Sequence, residues 1–433
     1  MKKLLIQTQL SNYDTQGKFI LECDSGYNMM MGRTRVLLQQ VPDLKVFITG
    51  PQLNQCRTSP YDLNADLFND FGNRLKYIPL LLIPNALATR YDFVFEDIAR
   101  ALDLGEDGHE PFTHVFINDP MLLRNFQALF FLKGKYRPKY IVHSHFIDNP
   151  ECPKFPTEAS LWMGQMEAAF KADFNFWQCE SSLQVFLKSA MNWLCEDLVA
   201  VIRHKSLPWD DGYSSEEINS PINMNNVRFD VNDLARKTVG KTVVFVPNRI
   251  GGFGRSSDYT NCGRFMFETV PRVRKMRDDF VVIAGNPSQK ILNHELEELC
   301  PAFLNLVPDA LNRDEYKYVA RHIQDISVGL YNQDSYGGTA ARELCDVGTI
   351  PLWVDNYEYT QIALLAGLPK DMMIAPDLSN MDETLVFMLD WISQVKHDAP
   401  EEIKGWHDRL SDVVYRRCSY EATSDEAIRH MGL

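Results

Sequence analysis

The sequence predicts an α/β protein made of two doubly wound parallel sheets. Two observations carry that expectation. Short apolar runs alternate with stretches of helical spacing in two successive series, the pattern of βαβ units. Between the series lies a polar tract, residues 209–226 (WDDGYSSEEINSPINMNN), rich in Ser and Asn and poor in apolar side chains, which reads as a linker or long surface loop. A chain of 433 residues with 45% hydrophobic content is long enough to give each half its own core.

The first series has apolar runs at 4–6, 45–49, 77–82, 114–118, 140–143, 174–178 and 198–202, each read as a buried strand. A helix is expected at 27–40, with Ser25 and Gly26 ahead of it; Met29, Met30 and Met31 on that helix either line an acceptor entrance or belong to the core. The second series has runs at 242–246, 280–284, 326–330, 350–354 and 372–374. Residues 401–433 read as helices with Trp406, Leu410, Val413 and Val414 on one apolar face, a tail expected to cross back. These elements place a first domain at 1–215, joined by helices at 405–433, and a second at 235–404.

Composition excludes several classes. With 44 basic and 58 acidic residues the net charge is −14, so the whole surface is unsuited to gripping nucleic acid, and any polyanion must meet a local patch. Nine scattered cysteines without a CxxC pair fit a reducing compartment, and the location expected is cytoplasmic. The N-terminal apolar run, 4–6, is too short for a signal-peptide core, and no stretch approaches the ~20 apolar residues of a membrane span.

The densest chemical signal is 331–359, YNQDSYGGTAARELCDVGTIPLWVDNYEY. Gly337 and Gly338, with Ser335 and Tyr336 before them, let backbone amides approach an anion without an intervening Cβ. A helix opening near Thr339 aims its positive end at a diphosphate, and Glu343, one turn in, is placed to accept both hydroxyls of a ribose. Gly348 ends the helix before a buried strand. This order of loop, helix and strand is that of a nucleotide pocket.

A second segment, VPNRIGGFGRSSDYTNCGRF, sets Gly251, Gly252 and Gly254 between Arg249 and Arg255. Two guanidinium forks beside a tight loop make a diphosphate clamp. Alone, the segment reads as a turn with two solvated arginines; paired with the Gly–Gly–Glu unit, it reads as the clamp. It is not a Walker loop, since no GK[ST] follows, and it is not the dinucleotide GxGxxG either. In FVVIAGNPSQK, Gly285 and Asn286 lie where a base or sugar edge meets a strand's carboxyl end, while Ser288 and Gln289 equally suit a helix cap.

In the first half, KYIVHSHFIDNP sets His143, His145 and Asp148 at a strand end, with His143 the better candidate for a satisfied core histidine. No third ligand has zinc-site spacing, so no metal is expected. Asn118 and Asp119 either face the same site or form a turn before Pro120. Between 236 and 277 lies a basic block, Arg236, Lys237, Lys241, Arg249, Arg255, Arg264, Arg272, Arg274, Lys275 and Arg277, which reads equally as a phosphate-tracking surface and as a solvated face.

These motifs together resemble glycosyltransferases of the GT-B type, with two Rossmann-like doubly wound domains facing a cleft, and the second half is similar to retaining GT4-like sugar-nucleotide transferases. More narrowly, NRIGGFGR and ELCDVGTIPLW resemble the DNA α-glucosyltransferases of T-even bacteriophages, which modify hydroxymethylcytosine. The resemblance covers 244–355 closely and the first half only around the strand-end histidines. It implies that Arg249 and Arg255 hold the donor diphosphate, that Glu343 binds the ribose, that Gly337 and Gly338 pass close to phosphate or sugar, and that His145, with Asp148 nearby, contacts the transferred sugar. It further implies a UDP-sugar co-substrate, no obligatory metal, a retaining transfer and a hydroxymethylated pyrimidine in double-stranded DNA held by block 236–277, in the host cytoplasm if phage-encoded. Many members carry a second carboxylate eight residues before the Glu343 equivalent; Ser335 stands there, with Asp334 offset by one, which leaves the donor sugar (glucose or a pentose such as arabinose) open. The alternatives are a carbohydrate or lipid-linked acceptor of the cell envelope, a non-catalytic binder, and a sugar-nucleotide epimerase, for which Glu22 and Asp119 are the only loose carboxylate candidates.

Overall fold

A computed structural model describes the chain apart from residues 1, 9, 11–16, 85–90, 94–97, 101, 103–110, 134–135, 145–157, 210–211, 251–260, 287–292, 309, 331–338 and 356; Arg249, Asn286 and Thr339 are described by their backbone alone. The chain divides into two units, Met1–Asp211 with Thr423–Leu433, and Gly212–Ala422.

The first unit is built on seven parallel strands: β1 (Lys2–Gln7), β2 (Leu44–Pro51), β3 (Leu75–Leu80), β4 (His114–Ile117), β5 (Lys139–Ser144), β6 (Phe174–Trp177) and β7 (Ser206–Pro208). Their order is β3-β2-β1-β4-β5-β6-β7, so chain direction across the sheet reverses between β1 and β4. Leu4, Leu5 and Ile6 are fully buried in succession, as a strand covered on both faces requires. Helix α1 (Ser25–Gln40) follows β1, and Asp24 caps it by accepting from the Tyr27 amide at 3.0 Å. Met29, Met30 and Met31 are all buried, so they form core and not an acceptor entrance.

One expected strand is a helix. The run at 198–202 lies within α2 (Glu196–His204), with Val199 and Ile202 buried, Glu196 and Asp197 in the first turn and Arg203 and His204 in the last, an arrangement that complements the helix dipole. A short apolar run does not by itself distinguish the two periods.

The second unit carries five parallel strands: β8 (Thr242–Arg249), β9 (Phe280–Asn286), β10 (Ile326–Gly329), β11 (Ile350–Val354) and β12 (Met373–Ile374), in the order β9-β8-β10-β11-β12. Here the reversal falls between β8 and β10. The polar tract is no open loop: Tyr213 and Ile218 are buried in this unit's core and Trp209 in the first unit. It contains α3 (Ser215–Asn219), capped by the Ser214 hydroxyl.

Two later helices pack beside these strands, α4 (Arg313–His322) and α5 (Thr339–Asp346). The next helix of interest, α6 (Pro400–Cys418), also lies in the second unit, burying Leu410 and Val414 with Trp406 and Val413 packed beside them. The expectation that 405–433 as a whole joins the first unit is therefore corrected: only Thr423–Leu433 does, because the apolar face of α6 is completed by the second unit's core. The last helix, α7 (Tyr420–Met431), is tied to the first unit where His114 Nε2 donates to the Met431 carbonyl at 3.1 Å and His430 Nε2 to that of Lys205 at 3.1 Å. Among the described residues no helix is long and apolar enough to cross a membrane.

Two measurements test this packing. Burial pushes His114 down from 6.5 to about 4. The unfolded chain therefore binds the proton first as pH falls, so the stability contributed by the neutral ring is complete above pH 6.5 and is lost towards 4. A buried imidazole shifted this far contributes about 2–3 kcal/mol. Urea midpoints at pH 7 and 4.5 should differ less in His114→Gln than in the wild type. A Cβ on Gly329 would meet Trp353 Cδ1 at 2.7 Å and Ala341 Cβ at 3.2 Å, both fully buried neighbours. Gly329→Val should therefore lower unfolding free energy by about 1–3 kcal/mol in urea titration.

Candidate functional site

The second unit's reversal point sets two strand ends side by side. β8 ends at Arg249 and β10 at Gly329, and the sequence continues from them into 251–260 and 331–338, the Arg-loop-Arg and Gly-rich segments. In open α/β sheets this junction is where ligands bind. The β8–β9 register shifts between Val246 and Arg249, a bulge-like irregularity that leaves Arg249 opposite Asn286. Asn248 Nδ2 donates to the Val328 carbonyl at 3.4 Å, bridging the two strand ends. Cys262, just beyond the Arg segment, is hydrogen-bonded to the Leu330 backbone and the Asn248 side chain, and burial pushes its thiol up to about 11, which keeps it neutral.

Helix α5 starts at Thr339, directly after the Gly-rich segment, and ends before Gly348 at φ +96°. Its Ala341, Leu344 and Cys345 are fully buried, which fixes the helix against the sheet. Glu343 lies in its second turn with 6% exposure. Gly285 lies on β9, where a Cβ would meet the Phe245 ring at 3.1 Å and the Pro247 α-carbon at 3.3 Å, and its carbonyl accepts from the Leu311 amide at 2.9 Å.

Sequence reading missed the partner of Glu343. Arg313 Nη1 donates to Glu343 Oε2 at 3.0 Å and Nη2 to Oε1 at 2.7 Å, a bidentate fork. The same guanidinium donates from Nε to Glu217 Oε1 at 2.9 Å and from Nη2 to Glu217 Oε2. Burial alone would lower Arg313, but the carboxylates of Glu217 and Glu343 hold it well above its usual range. The available signal was N-R-D-E at 312–315, a capping box: Asn312 accepts from the Glu315 amide at 3.0 Å and Glu315 accepts from the Asn312 amide at 2.8 Å, which sets Arg313 on the first turn of α4.

In the first unit, His143 is fully buried and its Nε2 accepts from Arg33 Nη2 at 3.3 Å, which puts the ring proton on Nδ1. Arg33 also donates to the Trp209 carbonyl at 3.0 Å and lies over the Trp209 ring. His143 is thus the core histidine, as expected. At the β1–β4 reversal, Gln7 Oε1 accepts from the amides of Asn118 and Asp119, both at 2.9 Å, and Asn118 Nδ2 donates to the Gln7 carbonyl at 2.6 Å. Asp119 also caps the following turn by accepting from Met121.

His145, Asp148, Arg255, Ser335, Tyr336, Gly337 and Gly338 lie outside the described residues. The basic block is more neutral than its sequence suggests. Arg236 and Lys237 pair with Asp233, Arg264 with Glu268, Arg272 with Asp382, and Arg277 with Asp279 and Asp390. Most of these acids lie outside the block or at its edge, so counting charge within it overstated the field.

No family model matches the chain, and no curated protein matches it in sequence. Solved structures do. The HepE protein of Anabaena, in complex with UDP-glucose, is similar with a TM-score of 0.60 at 10% identity, covering 100% of both chains. The α,α-trehalose 6-phosphate synthase of Burkholderia multivorans gives 0.62 at 12%, covering 100% of this chain and 98% of that one. The UDP-GlcNAc 2-epimerase of Neisseria meningitidis bound to UDP-GlcNAc gives 0.51 at 12%, covering 100% and 99%. At these identities the likeness establishes architecture and not activity: the chain has the GT-B fold.

Proposed function

We propose that the protein is a glycosyltransferase that moves a sugar from a UDP-sugar to an acceptor hydroxyl. The observation that carries the reading is the adjacency of the β8 and β10 carboxyl ends at the reversal point, from which the Arg-loop-Arg and Gly-rich segments continue. UDP-sugars in HepE and in the epimerase of the same fold support the donor class.

In this reading Arg249, Arg255 and the start of α5 neutralise the diphosphate as the glycosidic bond breaks. Their contribution grows with the leaving group's charge. Glu343 holds the ribose; Gly337, Gly338, Ser335, Tyr336 and Thr339 cradle the phosphates, and Gly285 and Asn286 border the base or sugar. His145 and Asp148 contact the transferred sugar. Transfer proceeds with retention: the acceptor oxygen attacks the anomeric carbon on the face that the diphosphate leaves, and the departing phosphate oxygen takes the acceptor proton.

For the acceptor we propose the hydroxymethyl group of 5-hydroxymethylcytosine in bacteriophage DNA, on the strength of NRIGGFGR and ELCDVGTIPLW. The base must leave the stack to be reached. The pairing of block arginines with acids favours a second reading, a carbohydrate acceptor without a polyanionic backbone.

Incubating the enzyme and UDP-glucose with hydroxymethylated and plain DNA separates the two. Nucleoside mass analysis should show a hexose gain on the hydroxymethylated DNA alone; no gain with any UDP-sugar removes the DNA reading. Glu343→Ala should raise the UDP-sugar KM about tenfold or more, the scale of a lost charged hydrogen-bond pair. Arg249→Ala should mainly depress kcat, by about a hundredfold if it acts as a transition-state donor. Unchanged kinetics in both variants would refute the donor-site placement.

A further inference from the structure

We propose that Arg313 and Glu217 are positioning residues that aim the Glu343 carboxylate at the ribose hydroxyls and so set the preference for a ribonucleotide donor. This rests on the assignment of Glu343 to the ribose.

A carboxylate at 6% exposure is costly without a counter-charge, and its direction matters if it is to grip a vicinal diol. The Arg313 fork supplies both needs. One N–H reaches each Glu343 oxygen in a single planar arrangement, which leaves one acceptor position on each oxygen. The positions left point outwards, one on each side of the fork, so a ribose hydroxyl is accepted at the flank of the carboxylate and its direction of approach is set by the guanidinium plane.

The fork is itself fixed from three sides. Glu217 accepts from its Nε and from the Nη2 that also serves Glu343, so the guanidinium plane is pinned by carboxylates at both edges. The guanidinium lies over the Tyr316 ring, 5.1 Å to the centroid, and the Tyr316 hydroxyl donates to the Ala340 carbonyl of α5 at 3.4 Å. Asp346, one turn after Glu343 on α5, accepts from Ser215 Oγ at 2.7 Å and Asn219 Nδ2 at 3.1 Å, so the helix carrying Glu217 is fastened to the helix carrying Glu343. Lys317, one turn after Arg313, sits 3.9 Å from Glu217 and donates to Ser220 Oγ at 2.8 Å, which holds that side of α3.

Calorimetric titration with UDP and with 2′-deoxy-UDP tests this on the full chain. The wild type should bind UDP more tightly, by about tenfold for one charged hydrogen bond. Glu343→Gln should reduce that ratio towards one. Arg313→Met, Arg313→Lys and Glu217→Gln should each reduce it as well, chiefly by weakening UDP and with little effect on 2′-deoxy-UDP. Lysine keeps the charge and loses the fork, so it reports aim separately from charge, and it stands in if the methionine variant does not fold. A structural role alone would weaken both nucleotides equally. If Glu343→Gln collapses the ratio while Arg313→Lys and Glu217→Gln keep it at the wild-type value, the proposal is overturned. If Glu343→Gln itself leaves the ratio intact, the ribose assignment fails instead.

Discussion

Strand order in the second unit is the constraint on which the rest depends. Parallel strands joined by right-handed crossovers can change direction across a sheet only where the chain skips a neighbour. Here β9 is laid outside β8 and β10 on its other side, so consecutive crossovers leave the sheet on opposite faces and the β8 and β10 carboxyl ends stand together. Residues 82 apart in the chain, Val244 with Ile326 and Phe245 with Ser327, thereby become neighbours. Close packing keeps them so: a fully buried Val244 faces Ile326, and Gly329 lets Trp353 approach the end of β10.

Around that junction the polar groups are organised by α4. Its first three turns carry Arg313, Glu315, Lys317 and Arg321, and each holds a piece of the chain between 217 and 228 or helix α5. Arg228 donates to the fully buried Glu315 from its backbone and from its guanidinium, and Arg321 donates to the Ser220 carbonyl. Buried ion pairs add little net stability once desolvation is counted, yet breaking one is costly, which makes them better at fixing geometry than at strengthening a fold. That balance suits a site in which a carboxylate must keep its direction before any ligand arrives.

The sequence revealed most of the sheet framework because parallel strands covered on both faces are continuous apolar runs bounded by turn residues; 242–246, 280–284 and 350–354 are of this kind. It failed at 198–202 because five apolar-rich residues suit either period, and only the charges at Glu196, Asp197, Arg203 and His204 favour a helix. The α6 assignment failed for a different reason: an apolar face shows that a helix packs, and not against what. Gly348 was legible as the end of α5 because a positive φ restricts the residue types allowed. Arg313 and Glu217 were not, since an ion pair between residues 96 positions apart leaves no local pattern. The neutralised basic block has the same origin, as Asp382 and Asp390 reach Arg272 and Arg277 only in the folded chain.

A crystal of the protein soaked with UDP tests the central claim most directly. The account predicts the ribose hydroxyls on the Glu343 carboxylate and the diphosphate at the start of α5, between that helix and the end of β8. A nucleotide bound elsewhere, with the Arg313–Glu343 fork untouched and the β8–β10 junction vacant, would contradict it.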